Sequence, residues 1–193
     1  MPNNILILVR HAETNVDEHT KISKWLLTEK GQKDAINLFN LDLFDDVDII
    51  ITSDEEKANQ TAYPLSKRLH KEIIREKDLN EILRDQGRYL KTKAEYFNTM
   101  KLCMENRNQS YNNWEPANKA LNRFSKKIQE IDSKYSNMKI LIVAHGGVIN
   151  LYFAEIIGQL DKVFERIFTN TFCDYGIIQN KNVIKDIAKI DII

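Results

Sequence analysis

The chain has 193 residues, and its 28 Lys plus Arg equal its 28 Asp plus Glu, so no bulk field draws it to nucleic acid or to an anionic membrane surface. The length argues for a single domain over 1–193. Cys103 and Cys173 lie far apart, which speaks against a disulfide framework or thiolate metal site and for reduced thiols. The start lacks the features of a signal peptide, and no apolar run approaches the roughly 18 residues of a membrane span, so a soluble cytoplasmic protein is expected.

In chain order, Ile5 to Val9 is a continuous apolar run with no polar alternation, the pattern of a strand buried on both faces, and it empties into Arg10-His11. Thr28 is placed to N-cap a helix whose Ala35, Leu38 and Phe39 share one face. Leu41 to Asp48 is acidic and reads as a solvated approach to a strand at Val47 to Ile51. Ser53-Asp54-Glu55-Glu56 has the form of a capping box, with Ser53 as N-cap, opening a helix with Ala58, Ala62, Leu65 and Leu69 inward. Ile73 and Ile74 suit a short strand leading to Leu79-Asn80-Glu81.

From Ile82 to Trp114 the period is poor, only Tyr96, Met100 and Cys103 suggesting a helical face, and the segment 82–114 reads as a cap inserted over the active site. Asn118 to Tyr135 is amphipathic, with Leu121, Phe124, Ile128 and Ile131 on one stripe. Ile140 to Ala144 is a second continuous apolar run, emptying into His145-Gly146-Gly147 and a helix from Val148 to Ile157. Ile167–Phe172, Tyr175–Ile178 and Val183–Ile190 read as late strands. Strands alternating with helices indicate an α/β three-layer sandwich with a mostly parallel sheet.

In such folds ligands bind at the carboxyl ends of strands, where the two apolar runs deliver Arg10, His11 and His145. A neutral imidazole attacks phosphorus well, and an adjacent guanidinium grips phosphate oxygens while disfavouring the imidazolium. Gly146 and Gly147 let backbone approach a ligand at a helix N-terminus, adding anion affinity. Glu81, if shielded enough to stay protonated, can supply the leaving group's proton. A zinc site on His11 and His145 lacks a third ligand at suitable spacing, and His19 and His70 have no supporting context. The six glycines form no dinucleotide or Walker loop.

Five segments resemble, in order, the signatures of the histidine phosphatase superfamily, the phosphoglycerate-mutase-like proteins of branch 1. Arg10-His11-Ala12-Glu13-Thr14 is similar to Arg-His-Gly-Glu-Thr, and Leu27 to Gly31 to Leu-Thr-x-x-Gly. Ser53 to Ala62 resembles Ser-x-x-x-Arg-Ala-x-Gln-Thr-Ala; Leu79-Asn80-Glu81 matches the acid, and Val143 to Gly147 the second histidine. The resemblance implies a phosphohistidine on His11, phosphoryl binding by Arg10 and His145, Glu81 as proton donor, and no cofactor. Lys57 stands where the family has a second phosphate-binding Arg, which keeps charge but loses the bidentate fork. Asp17 stands where an Asn is common, placing a carboxylate at the expected phosphate site. The Gly and Trp-Glu-Gly residues that follow the acid in many members are missing, and the Gly-Glu-Ser segment reads Trp114-Glu115-Pro116, eight residues before Arg123.

The expected function is a metal-independent phosphatase for a small phosphomonoester or phosphoprotein. Lys57 and Asp17 keep a second reading open, a catalytically weak module that binds a phosphorylated partner. Phosphoglycerate mutase is disfavoured, because holding a doubly anionic intermediate requires more cationic contacts than a chain with eight arginines and Lys57 offers.

Overall fold

Ile5–Arg10 (β1) shows why an unbroken apolar run is needed at the centre of the sheet: Leu6 and Leu8 enter one core, while Ile7 and Val9 enter the other. The computed structural model describes residues 2–189. Within them, β1 is followed by α1 (Glu29–Phe39), β2 (Ile49–Ser53), α2 (Glu56–Leu69), β3 (Ile73–Glu76) and α3 (Lys93–Glu105). Then come α4 (Ala117–Lys134), β4 (Lys139–Ala144), α5 (Gly146–Ile156), α6 (Val163–Thr169), β5 (Tyr175–Gln179) and β6 (Asn182–Lys185).

The sheet order is β3-β2-β4-β1-β5-β6, parallel from β3 to β1, with β5 antiparallel to β1 and β6 antiparallel to β5. On one face α1 and α2 bury Leu38, Phe39, Ala58, Ala62 and Leu65 against Ile7, Val9, Leu141 and Val143. On the other, α4 and α5 bury Leu121, Phe124, Ile128, Val148 and Phe153 against Leu6, Leu8, Ile140 and Ile142. This is the three-layer α/β arrangement read from the alternation of strands and helices.

Several local readings are corrected. Ser53 is the last residue of β2 rather than an N-cap; the cap position is Glu55, and Glu56 pairs with Arg75 at 2.7 Å. Ile167–Phe172 is not a strand: α6 covers Val163–Thr169, because Phe164 and Phe168 stack on Phe97 of α3, each with ring centroids 4.7 Å from it. The strand expected over Val183–Ile190 is the shorter β6, and Ile190 lies outside the described residues. The acidic 41–48 segment hides an anchor, since Phe44 is fully buried against Phe39 at 4.9 Å. Within 82–114, α3 begins on a capping box between Thr92 and Glu95 and buries Met100, Cys103 and Met104.

The loop after β1 is stapled to α1. Thr28 caps α1 by accepting from Gly31 N–H at 2.9 Å, its own N–H donates to Glu13 O at 3.0 Å, and its hydroxyl donates to the Glu13 carboxylate at 3.0 Å. A Cβ on Gly31 would stand 2.2 Å from that same Glu13 carbonyl oxygen, so backbone rather than a flexible side chain would have to yield. Gly31→Ala should therefore lower unfolding stability by about 1–3 kcal/mol in urea titrations despite alanine's better helix propensity. Unchanged or higher stability would show that the Glu13 loop is not held against α1.

Candidate active site

Parallel pairing of β1 and β4 sets Arg10 opposite Ala144, and the next amide, His11 N–H, still donates to Ala144 O at 2.9 Å. Both strands therefore end at one level, with the imidazoles of His11 and His145 5.1 Å apart, centroid to centroid. His11 Nδ1 lies 2.8 Å from the carbonyl of Ala12. A carbonyl can only accept, so the ring proton sits on Nδ1 and the free lone pair on Nε2. Burial, and then the charges of His145, Lys57 and Arg10, hold the His11 pKa well below its ordinary value of 6.5.

His145 Nε2 lies 2.7 Å from Ser53 Oγ and 3.6 Å from Glu55 Oε1. Ser53 Oγ also accepts from Glu55 N–H at 3.3 Å, and His145 Nδ1 is buried with no protein partner. His145 is fully buried, and burial holds its pKa well below the ordinary value even though Glu81 opposes the shift.

Arg10 is aimed from the turn after α6. Its Nη1 donates to Asn170 O at 2.6 Å and to Asn170 Oδ1 at 3.3 Å, and the guanidinium lies 4.6 Å over the ring of Phe172. Arg10 Nε is buried with no partner.

Glu81 takes N–H bonds from Gly147 at 3.0 Å, Val148 at 3.1 Å and Ile82 at 3.0 Å, so its carboxylate occupies the N-terminus of α5. Burial favours its protonated form. The charges of Arg84 and His145 and the amides of Gly147 and Ile82 outweigh that, and its pKa lies below the ordinary value. Two expectations are thereby corrected: the surroundings of Glu81 favour its ionised form, and the amides of Gly147 and Val148 are taken by Glu81 rather than left for a ligand. The backbone carrying Glu81 is clamped by Arg123, which pairs with Glu115 at 2.8 Å and donates to the carbonyls of Asp78, Asn80 and Glu81.

Lys57 is 2% exposed; its ammonium pairs with Glu55 Oε2 at 2.7 Å and donates to Ile22 O at 2.7 Å, leaving one of three N–H groups. Asp17 is not at the site. Its carboxylate accepts from the Thr20 hydroxyl and the His19 amide of its own loop and does not line the cavity. The cavity, of about 450 Å³, is lined by Arg10, His11, Lys57 and Glu81 and, from the 82–114 segment, by Arg84, Tyr96 and Trp114. Among the described residues no group of three or more His, Cys, Asp or Glu is arranged to hold a metal ion, and no helix is long and apolar enough to cross a membrane.

The sequence profile of the histidine phosphatase superfamily (branch 1) matches residues 6–181, which span all of these side chains. The chain belongs to that family. It is 29% identical over 154 residues to the Bacillus subtilis (strain 168) protein named uncharacterized phosphatase PhoE, covering 78% of this chain and 76% of that one. Among solved structures, Bacillus stearothermophilus YhfR aligns with a TM-score of 0.75 at 21% identity over 94% of this chain and 95% of that one. A mycobacterial glucosyl-3-phosphoglycerate phosphatase aligns with a TM-score of 0.74 at 17% identity, covering 90% and 88% of the two chains. The fold is thus that of the family.

Four residues of the site were not singled out from sequence: Ser53, Glu55, Arg84 and Asn170. Ser53 and Glu55 lie inside the family-like segment, where a serine three residues before a glutamate satisfies a capping pattern and gives no local sign of the contact between Ser53 and His145. Asn170 lay in a stretch misread as a strand.

The two buried imidazoles predict a pH dependence of stability. In the unfolded chain each gains a proton below about pH 6.5, while the folded site keeps both neutral. The unfolded state therefore binds more protons, and stability, full above that pH, falls below it by up to about 1.4 kcal/mol per pH unit for each histidine. Urea unfolding at several pH values between neutral and mildly acid checks this. A flat or rising stability on acidification would show that the folded site accepts the protons.

Proposed function

We propose that the protein is a phosphohydrolase that cleaves phosphomonoesters through a phosphohistidine on His11. The observation that carries this reading is the Nδ1–Ala12 hydrogen bond, which presents a neutral Nε2 lone pair at the cavity beside Arg10. Half of the buried unpartnered side-chain atoms among the described residues support an anion between these groups: Arg10 Nε, His145 Nδ1 and Arg84 Nε. The relatives named as phosphatases support the same reaction class.

In this reading Arg10, the remaining N–H of Lys57 and His145 Nδ1–H bind the phosphoryl oxygens. His11 Nε2 attacks phosphorus as the bond to the ester oxygen breaks, a loose transfer that depends mainly on positioning and charge stabilisation. Entry of the phosphate adds negative charge beside Glu81 and raises its pKa, so a proton brought in on the substrate monoanion passes to Glu81. Glu81 gives it to the leaving oxygen, then accepts one from the water that attacks the phosphohistidine. The segment over 82–114 acts as the cap, and a small phosphorylated metabolite rather than a phosphoprotein fits a cavity of about 450 Å³. One observation favours the weaker binding-module reading: Lys57 is already neutralised by Glu55.

Turnover of an aryl phosphate separates the two. The hydrolase reading expects phosphate release that persists with chelator present, is inhibited by vanadate, and is abolished in His11→Ala. It also expects kcat/KM to fall as pH rises above about 6, where the substrate monoanion is lost. Wild-type rates in His11→Ala would remove the mechanism.

A further inference from the structure

A second cavity, of about 160 Å³, lies at the other end of the sheet from His11, where the start of β1, the last turns of α4 and α5, and the turn joining β5 to β6 come together. Leu6 and Ile178, paired across β1 and β5, form its apolar wall with Ile128 and Ile156. Its charged lining is Asp132, Glu155 and Lys181, and none of the three forms an ion pair among the described residues. Two carboxylates against one lysine leave the lining net negative. Both acids also stand at helix C-termini, Asp132 in the last turn of α4 and Glu155 in that of α5. The helix dipole makes those ends negative already, so a carboxylate there is unfavourable unless a cation faces it. Lys134, the basic residue of the same turn of α4, lies over the Tyr135 ring and does not line the cavity.

Buried side chains hold each acid by one oxygen. Asn4 is 1% exposed; its Nδ2 donates to Asp132 Oδ1 at 2.9 Å and to Tyr135 O at 2.9 Å. Ser125 Oγ donates to Glu155 Oε2 at 2.8 Å. Asp132 Oδ2 and Glu155 Oε1 receive no donor among the described residues. Tyr152 brings a third oxygen to the lining. Its ring packs edge-on against Phe124 at 5.7 Å, the residue is only 9% exposed, and its hydroxyl has no hydrogen-bond partner among the described residues. Burial, and then the charges of Asp132 and Glu155, push its pKa up, so the phenol is neutral and has both carboxylates as neighbours. A polar group so nearly buried is costly to leave unmet.

We propose that this cavity binds a small primary amine, whose ammonium donates its three N–H groups to Asp132, Glu155 and the Tyr152 hydroxyl while a short alkyl stem lies against Leu6, Ile128, Ile156 and Ile178. The lining disfavours the other classes of ligand. A metal ion would meet two acids and an apolar wall, and among the described residues no group of three or more His, Cys, Asp or Glu is arranged to hold one. An anion would face both carboxylates. The space equals about five waters at roughly 30 Å³ each, which limits the ligand to about six non-hydrogen atoms. The site shares no residue with the catalytic cavity, so the inference is independent of the phosphohydrolase reading.

The test titrates 3-methylbutylamine, and separately its uncharged counterpart 3-methylbutan-1-ol, into protein labelled on isoleucine methyl groups, at neutral pH and low ionic strength. The amine should saturate with a Kd of about 0.1–1 mM, the range for a ligand of that size, and bind at least about ten-fold more tightly than the alcohol. The methyl signals of Ile128, Ile156 and Ile178 should move with it. Asp132→Asn keeps an acceptor for Asn4, and Tyr152→Phe keeps the ring; each should weaken the amine by about ten-fold or more and leave the alcohol unchanged. Glu155→Gln, on an exposed side chain, gives the same reading should either buried variant fail to fold. His11→Ala should bind the amine as the wild type does, whether or not the protein turns over phosphate esters. Equal affinities for amine and alcohol, no saturation by about 10 mM amine, wild-type affinity in the folded variants, or shifts confined to Ile22 and Ile167 of the catalytic cavity would each overturn the proposal.

Discussion

The parallel pairing of β1 with β4 is the constraint on which the site depends. Because Arg10 stands opposite Ala144, the two strands end together, and each is followed at once by a histidine. A shift of one residue would turn every side chain of β1 to the other face and exchange the two halves of the core. The same burial that enforces the register therefore enforces the 5.1 Å approach of the imidazoles. Burial also keeps both rings neutral, so packing and chemistry have one cause here.

The family-like segments are far apart in sequence yet hydrogen-bonded to one another. Gln60 accepts the Leu27 amide at 2.9 Å, Thr61 accepts the Ala12 amide at 3.0 Å, and Ser53 reaches His145 at 2.7 Å. Glu13 and Gly31 close the same set, which explains why these residue types occur where they do: most of them hold the loop that carries His11 rather than touch a ligand. The central strands and the delivery of Arg10, His11 and His145 to their ends were legible because apolar runs and strand-end polarity are local signals. The hydroxyl of Ser53 was not, since a serine before a helix satisfies a capping pattern as readily as it serves an imidazole across the sheet. Asp17 shows the opposite error, where similarity of position suggested a phosphate contact and local hydrogen bonds to Thr20 and His19 took the carboxylate away.

Charge within the site is only partly compensated. Lys57 pairs with Glu55, Arg88 pairs with Glu95 and the Glu81 carboxylate takes the α5 amides, while Arg10 and Arg84 form no ion pair among the described residues. In the proposed reaction an entering phosphate monoanion brings both charge and a proton to Glu81, which is how a carboxylate with a depressed pKa acts as an acid there. None of this balance could be read from the 82–114 segment by periodicity, because α3 shows its face through Met100, Cys103 and Met104 while most of the segment's cavity-lining residues, Arg84 and Arg88 to Thr92, lie in the irregular stretch before it.

The central claim is that His11, with Nδ1 held by Ala12, attacks through Nε2. Phosphorus NMR of the alkali-denatured, substrate-quenched protein distinguishes the two ring positions directly, and peptide mapping assigns the residue. Phosphate on Nε2 of His11 is the predicted result. Phosphate on Nδ1, on His145, or on no histidine at all under conditions of active turnover would contradict the account.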